Sequence, residues 1–270
     1  MTLLFLLAAA PAPEQVPTRE RYVDVGGYRL HALVQGSGKI PVVFESGLGE
    51  DSASWSDVQP TIARQHLTVS YDRSGLGKSE VSPNPRDAEE MALELHLMLH
   101  RAEITPPYVL VGHSLGGYIL RIFAAHFPGE VAGLVFVDPV PEKLEDQVRL
   151  HMTSQQYASR IKSIQEAQGQ MPLQIRREAD ALVRSGDEAA VSKLPAVPVI
   201  LLTGTKKNPR FPGNPLEQDL KLQLHRDFLH GLVHPMHVLV PESRHYIQND
   251  QPQVVIDAID CVASEVGSRL

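Results

Sequence analysis

The sequence predicts an α/β protein in which a mostly parallel, twisted sheet is flanked by helices. Short apolar runs alternate along the chain with helical patterns, and this alternation is typical of doubly wound sheets. The apolar runs lack a polar residue at every second position, as expected of strands that are buried on both faces. Of the 270 residues, 43% are hydrophobic, which suffices for one large domain or for a core with an insert.

The predicted strands begin with a hairpin formed by residues 22–25 and 28–34. Gly26 and Gly27 lie between these two segments, and paired glycines readily adopt the positive φ angles that a tight turn needs. The remaining strands are predicted from the compact apolar runs at residues 41–44, 67–71, 108–111, 134–137, 197–202 and 236–240.

Three segments have the pattern of core helices. In residues 88–102, apolar side chains recur at helical spacing and glutamates occupy the other face. Residues 118–127 are apolar nearly all round, which predicts a buried helix that ends at Pro128 and Gly129. Residues 254–266 are predicted to form a closing helix.

One long stretch interrupts this alternation. Residues 142–194 contain no convincing strand, only polar, helix-forming sequence. About fifty residues are too many for one crossover between two strands of a sheet. We therefore predict a helical cap at 142–194, inserted between two core segments, 19–141 and 195–270.

The first eighteen residues are set apart from the predicted fold. An apolar run at residues 3–10 is followed by small residues, as in a signal-peptide cleavage region, but no Lys or Arg precedes the run. Residues 1–18 therefore leave both export and a cytoplasmic location open. No apolar run reaches the roughly 18 residues that a spanning helix needs, so no stable membrane span is expected.

Charge and cysteine content exclude several classes of protein. The formal net charge is −7, which argues against a nucleic-acid-binding surface. One cysteine, Cys261, cannot form an internal disulfide or a Cys-rich zinc module, and it is expected to be a small buried side chain of the closing helix. The sequence does not indicate an oligomeric state.

The most informative motif is Gly112-His113-Ser114-Leu115-Gly116, which follows a predicted strand and precedes the buried helix. That context is the one required of the G-x-S-x-G nucleophile elbow. Side chains at Gly112 and Gly116 are expected to collide with neighbouring backbone in so sharp a turn. Ser114 is thereby predicted to stand above the sheet edge at a helix N-terminus, where the dipole favours developing negative charge.

With this elbow, the chain resembles the α/β-hydrolase superfamily over residues 22–266. Three further motifs occur in the order of that family. Residues 45–49, with Trp55 after them, look like the loop that lends an oxyanion-hole amide, and residues 71–79 look like the turn after the fourth strand. Residues 243–247 follow the last strand, where the family keeps its catalytic histidine.

The resemblance implies a catalytic triad in the order serine, acid, histidine. Ser114 is the expected nucleophile and His245 the base that takes its proton. Asp138, directly after the sixth strand, is the expected acid, as in the minority of the family that includes many haloalkane dehalogenases. Glu217 and Asp219 remain the alternatives, because many relatives place the acid after the seventh strand.

The resemblance also implies an oxyanion hole formed by the backbone amides of Leu48 and Leu115. The first loop has serine and glycine where the family often has histidine and glycine, which leaves open what makes this loop rigid. Glu45 is unusual there and is expected to form a salt bridge, with Arg73 as a candidate partner. His113 is expected to point away from Ser114 and to pack or hydrogen-bond below the turn.

The sequence and the resemblance thus predict a serine hydrolase that cleaves a small-molecule carboxylic ester through an acyl-enzyme intermediate. Ser114 argues against dehalogenase and epoxide-hydrolase chemistry, whose similar enzymes use an aspartate at this position. A C–C bond hydrolase, a lactonase, an aminopeptidase and a non-catalytic ligand-binding protein of the same fold remain alternatives. No metal or organic cofactor is expected to take part.

Overall fold

A computed structural model describes residues 16–184, 194–206 and 215–269. Residues 1–15, which are most of the N-terminal segment that was set apart from the fold, therefore lie outside the described part of the chain. The same is true of residues 185–193 of the predicted cap. The strands of the described part are β1 (Thr18–Asp24), β2 (Arg29–Gln35), β3 (Val42–Glu45), β4 (Thr68–Tyr71), β5 (Tyr108–His113), β6 (Val131–Val137), β7 (Val199–Gly204) and β8 (Pro235–Val240).

Helices lie between most of these strands, as the alternating pattern predicted. Short 3-10 helices at Ser52–Trp55 and Pro128–Glu130 accompany them. The α-helices are α1 (Gln59–Ile62), α2 (Ala88–Arg101), α3 (Leu115–His126), α4 (Leu144–Leu150), α5 (Ser154–Gly169), α6 (Leu173–Arg184), α7 (Pro215–Leu229), α8 (Ile247–Asp250) and α9 (Pro252–Gly267).

All eight strands belong to one sheet with the order β1-β2-β4-β3-β5-β6-β7-β8. β1 pairs with β2 and β2 with β4 in antiparallel fashion, and every other pair is parallel. The predicted hairpin and the mostly parallel sheet are therefore confirmed. Because β5, β6, β7 and β8 are parallel neighbours, the loops after them converge at one edge of the sheet.

Two hydrophobic layers cover the two faces of the sheet. α2 and α3 contribute Met91, Leu95 and Phe123 to one layer, and α9 contributes Ile259 and Val262 to the other. Successive strand residues point to opposite faces, so each central strand supplies side chains to both layers. The central strands are thus held rigidly, and this rigidity fixes the loops at their carboxyl ends.

Two sequence-based expectations about burial were wrong. β8 was expected to be buried on both faces, yet Met236 and Leu239 are about half exposed, because β8 is the edge strand and pairs only with β7. Cys261 was expected to be buried, yet it is exposed. In α9 the residues facing the sheet are those at helical spacing from Ile259, and Cys261 lies on the opposite side.

The segment from residue 142 to residue 184 is helical and contains α4, α5 and α6. α6 reaches the core through Glu178, whose carboxylate is buried against the guanidinium of Arg73. Its Oε1 accepts a hydrogen bond from Nε of Arg73 at 2.8 Å, and its Oε2 accepts one from Nη2 at 2.9 Å. None of the helices in the described part of the chain is long and apolar enough to cross a bilayer.

Arg73 is fully buried and uses all five of its N–H groups. Besides Glu178, it donates to Glu45 at 2.7 Å and to the backbone carbonyls of Ser46 and Gly47 at 2.7 and 2.6 Å. The predicted salt bridge between Glu45 and Arg73 is confirmed. One buried cation therefore joins the end of β3, the loop that follows it and α6.

The charge of Arg73 offsets the cost of burying the carboxyl groups of Glu45 and Glu178. Although burial opposes ionisation, the charge and hydrogen bonds of Arg73 hold the pKa of Glu178 below its usual value. Burial raises the pKa of Glu45, which also accepts a hydrogen bond from the hydroxyl of Tyr71. Ion pairs that are removed from water stabilise a fold only when every group has its partners.

Removal of one partner should therefore be costly. We expect Glu178→Ala to lower the free energy of unfolding by about 3 to 5 kcal/mol, because it leaves the Arg73 guanidinium buried with an unpaired edge. Urea denaturation measures the change. Glu217→Ala is the matched control, because its ion pair with Arg160 is partly exposed and should contribute less than about 1 kcal/mol. Equal losses in the two variants would contradict a special role for Glu178.

Candidate active site

The turn from β5 into α3 holds Ser114 in a strained conformation. Ser114 has a φ of 50° and a ψ of −116°, a region that side-chain-bearing residues rarely occupy. A Cβ at Gly112 would lie 2.7 Å from the backbone nitrogen of Gly117, and one at Gly116 would lie 2.3 Å from the carbonyl oxygen of Glu45. A side chain at either position would thus collide with neighbouring backbone, as expected, and this explains why the elbow needs glycine there.

The structure brings Ser114, His245 and Asp138 into one hydrogen-bonded chain. Nε2 of His245 lies 3.0 Å from Oγ of Ser114, and Nδ1 of His245 lies 2.8 Å from Oδ2 of Asp138. The three residues follow β5, β8 and β6, so they meet at the carboxyl edge of the sheet. This arrangement lets His245 accept the serine proton on Nε2 while Asp138 holds the proton on Nδ1.

Asp138 is a buried carboxylate with three sources of hydrogen bonds. Besides His245, the amide of Gly204 donates to its Oδ1 at 3.0 Å, and Nζ of Lys221 lies 2.9 Å from both oxygens. Burial alone would raise the pKa of Asp138, but the bonds from His245 and the charge of Lys221 hold it below its ordinary value. Asp138 therefore stays ionised next to His245.

The alternative acids lie elsewhere. Glu217 pairs with Arg160 of α5 at 2.9 Å, and Asp219 is exposed on α7. Neither carboxylate contacts His245 in the described part of the chain. α7 nevertheless contributes to the site, because Lys221 stands one helical turn after Glu217. Sequence reasoning missed Lys221, since nothing in the local pattern marks a lysine 83 residues away from its partner.

The loop after β3 packs against the elbow, since a Cβ at Gly116 would lie 2.7 Å from the carbonyl oxygen of Ser46. Oε2 of Glu50 accepts a hydrogen bond from the amide of Gly47 at 2.8 Å, which closes a tight turn around Leu48. Among the described residues, neither the amide of Leu48 nor that of Leu115 has a hydrogen-bond acceptor. Leu115 is also the first residue of α3, where the helix dipole favours negative charge.

Three side chains, from Arg73, Trp55 and Glu178, hold this loop in place. Arg73 binds the carbonyls of Ser46 and Gly47, as described above. Nε1 of Trp55 donates to Oγ of Ser46 at 3.0 Å, and that hydroxyl donates to the carbonyl of Asp51 at 2.9 Å. Glu178 of α6 also accepts from the amide of Gly49 at 3.2 Å. The loop is thus fixed from both sides.

His113 forms a second histidine–carboxylate pair beside the first. Its Nε2 donates to the backbone carbonyl of His245 at 3.0 Å, and its Nδ1 lies 2.9 Å from Oε2 of Glu50. The side chain hydrogen-bonds away from Ser114, as expected. Because Glu50 also accepts from Gly47, this pair links the loop after β3 to the backbone of His245. Hydrogen bonds with His113 and Gly47 hold the pKa of Glu50 below its usual value, although burial opposes the shift.

Comparison with known proteins gives similarities in sequence and in fold. The sequence profile of the alpha/beta hydrolase fold matches residues 40–157. The uncharacterised protein YqjL of Bacillus subtilis is 27% identical over 252 residues, which cover 89% of this chain and 90% of YqjL. The probable transporter efuK of Hormonema carpetanum is 35% identical over 133 residues, but the match covers 46% of this chain and only 19% of efuK.

Solved structures resemble nearly the whole chain. A thermophilic esterase from Thermogutta terrifontis has a TM-score of 0.61 at 20% identity, with 92% of this chain and 99% of the esterase covered. The epoxide hydrolase CorEH has a TM-score of 0.65 at 19% identity, with 93% of this chain and all of that chain covered. At such identities the likeness is one of fold.

The contact between Lys221 and Asp138 leads to a pH-dependent prediction. Lys221→Met should lower the free energy of unfolding by about 1.5 to 3 kcal/mol at pH 7, because a buried carboxylate loses its cationic donor. The native pKa of Asp138 is depressed, so this stabilisation is present above the ordinary aspartate value of 3.8 and is lost as the pH falls below it. The deficit of the variant should therefore shrink from pH 7 to pH 3.

Urea denaturation at both pH values measures this deficit. Lys78→Met is the control, because the ammonium of Lys78 is exposed and pairs with exposed Glu20, so the change should stay within about 0.5 kcal/mol. A deficit of Lys221→Met that is the same at pH 7 and pH 3 would contradict the assignment.

Proposed function

We propose that the chain is a serine hydrolase of the α/β-hydrolase superfamily and that it cleaves a small-molecule carboxylic ester; the match of residues 40–157 to the alpha/beta hydrolase fold supports this. The observation that carries the proposal is the hydrogen-bonded chain from Ser114 through His245 to Asp138, with spacings of 3.0 and 2.8 Å. These are the distances over which a base takes a proton from a nucleophile and is oriented by an acid.

The first half of the reaction forms an acyl-enzyme. Oγ of Ser114 attacks the ester carbonyl carbon while Nε2 of His245 takes the hydroxyl proton. The carbonyl oxygen becomes an oxyanion and accepts hydrogen bonds from the amides of Leu48 and Leu115. When the tetrahedral intermediate collapses, the bond to the alcohol oxygen breaks and His245 returns the proton to the leaving alcohol.

The second half releases the acid. Water attacks the acyl carbon, His245 takes a proton from that water, and Oγ of Ser114 leaves as a hydroxyl that regains the proton. Asp138 is ionised throughout and stabilises the imidazolium that forms twice in each cycle. Lys221 and Gly204 keep Asp138 in place, so its orientation toward His245 does not depend on a single contact.

Ser114 is the reason for choosing ester cleavage over epoxide opening, although epoxide hydrolases are among the similar structures. Similar enzymes that open epoxides use an aspartate at the nucleophile position, whereas a serine transfers acyl groups. We further propose that residues 142–194 form a cap over the site, inserted between the core segments 19–141 and 195–270. The proposal is supported by α6, where Ile175 and Glu178 lie against Gly49 of the loop after β3.

The proposed nucleophile and base should act as a unit on ester substrates. On a panel of p-nitrophenyl esters of increasing chain length, Ser114→Ala and His245→Ala should each lower kcat by around a million-fold. The double variant should be little worse than either single variant, because neither residue transfers protons usefully without the other. Cys261→Ala, an exposed change on α9, is the control and should keep parental kcat. Additive losses in the double variant would rule out the shared role.

The proposed acid should matter through the tautomer of His245. Asp138→Asn preserves shape but offers an amide N–H to Nδ1, which favours the wrong tautomer, so kcat should fall about 10⁴-fold. Ester kinetics together with a circular dichroism melt test this, and Glu217→Ala and Asp219→Ala should each cost less than about tenfold. If Asp138→Asn retains most activity while Glu217→Ala or Asp219→Ala abolishes it, Asp138 is not the acid.

A further inference from the structure

Two histidines and a glutamate converge on the surface at the opposite edge of the sheet. His96 and His100 stand one turn apart on α2, and Glu130 is the last residue before β6. Nε2 of His96 lies 3.1 Å from Oε1 of Glu130, and Nε2 of His100 lies 3.0 Å from the same oxygen. Within the described residues, this is the one group of three such side chains whose ligand atoms all lie within 4.8 Å of one another.

We propose that His96, His100 and Glu130 form a binding site for Zn²⁺. Histidine nitrogens and carboxylate oxygens bind zinc at about 2.0 to 2.2 Å in a tetrahedral arrangement, so two ligand atoms on one ion stand roughly 3.3 Å apart. The two nitrogen–oxygen separations here are within about 0.3 Å of that value. Small side-chain rotations therefore suffice to admit the ion.

Three features of the surroundings of these side chains favour the binding of an ion. The ring of His96 stacks on Phe127 with 3.7 Å between centroids and an angle of 5° between planes, which fixes its orientation. Oε2 of Glu130 is buried and accepts no hydrogen bond from the described residues. A buried carboxylate oxygen without a donor is costly, and a cation bound to the same carboxylate would offset that cost. His100 is about half exposed, so the ion has access from solvent.

The chemical types of the three ligands indicate which metal ion the site would bind. Two imidazoles and one carboxylate suit zinc and similar transition ions, whereas Mg²⁺ and Ca²⁺ prefer oxygen ligands alone. Zinc replaces the proton on each Nε2, so binding releases any proton held there to the solvent. Three protein ligands leave the fourth tetrahedral position to a water molecule.

The position of the cluster indicates a structural role. Glu130 immediately precedes β6 and Asp138 immediately follows it, so the strand separates the two carboxylates by about 25 Å. A zinc ion here would tie α2 to the turn that leads into β6, and it would be too far from Ser114 to act on an ester. The proposal is therefore independent of the proposed hydrolase activity.

Zinc titration in competition with a chromophoric chelator tests the site on the full chain. The parent should bind one Zn²⁺ at this site, and His100→Ala and the double variant His96→Ala/His100→Ala should weaken that binding by more than about tenfold. His126→Ala is the matched control, because His126 is also a partly exposed histidine with one carboxylate nearby, Glu89, at 3.7 Å. Its affinity should equal that of the parent, and Mg²⁺ should not compete.

Two further results test the site even if the double variant His96→Ala/His100→Ala fails to fold after losing the stack of His96 on Phe127. Glu130→Gln keeps the shape of the side chain and should also lose zinc binding by about tenfold or more. Zinc should raise the melting temperature of the parent and of His126→Ala but not that of His100→Ala. Unchanged zinc affinity in both His100→Ala and Glu130→Gln would overturn the proposal and leave a hydrogen-bonded cluster only.

Discussion

The buried guanidinium of Arg73 is the contact on which the geometry of the site depends most. Its five N–H groups hold Glu45 at the end of β3, two carbonyls of the loop after β3 and Glu178 of α6. An arginine suits this position because its planar fork binds a carboxylate bidentately and still has donors for the backbone. The loop that carries Leu48 is thereby tied to the core and to the helical segment by the same side chain.

A second constraint is the strain at the carboxyl edge of the sheet. Ser114 and Asp138 both have positive φ angles, 50° and 43°, and each comes directly after a central strand. Such conformations persist only where the surroundings impose them, and here the two hydrophobic layers hold β5 and β6. The close approach of Gly204 to the carbonyl of Arg244, where a Cβ would lie 1.7 Å away, lets the loop with His245 fold over β7. Packing thus positions the side chains of Ser114, Asp138 and His245 relative to one another.

Features with a local sequence signal could be predicted, and features made by distant contacts could not. The sheet, the elbow at Ser114 and the positions of His245 and Asp138 follow from short motifs at strand ends. Lys221 stands 83 residues from Asp138 and Glu178 stands 105 residues from Arg73, so only the folded chain shows that they meet. The exposure of β8 could not be predicted for a similar reason: an apolar run indicates a strand but does not show whether that strand lies at the centre or at the edge of the sheet.

The most direct measurement of the central claim is the reaction of Ser114 with a fluorophosphonate, followed by intact mass and peptide mapping. An activated serine should give one covalent adduct per chain, on Ser114, and His245→Gln should slow its formation by at least about a thousand-fold. Folded parent protein that forms no adduct, or that reacts at the same rate as His245→Gln, would contradict the account.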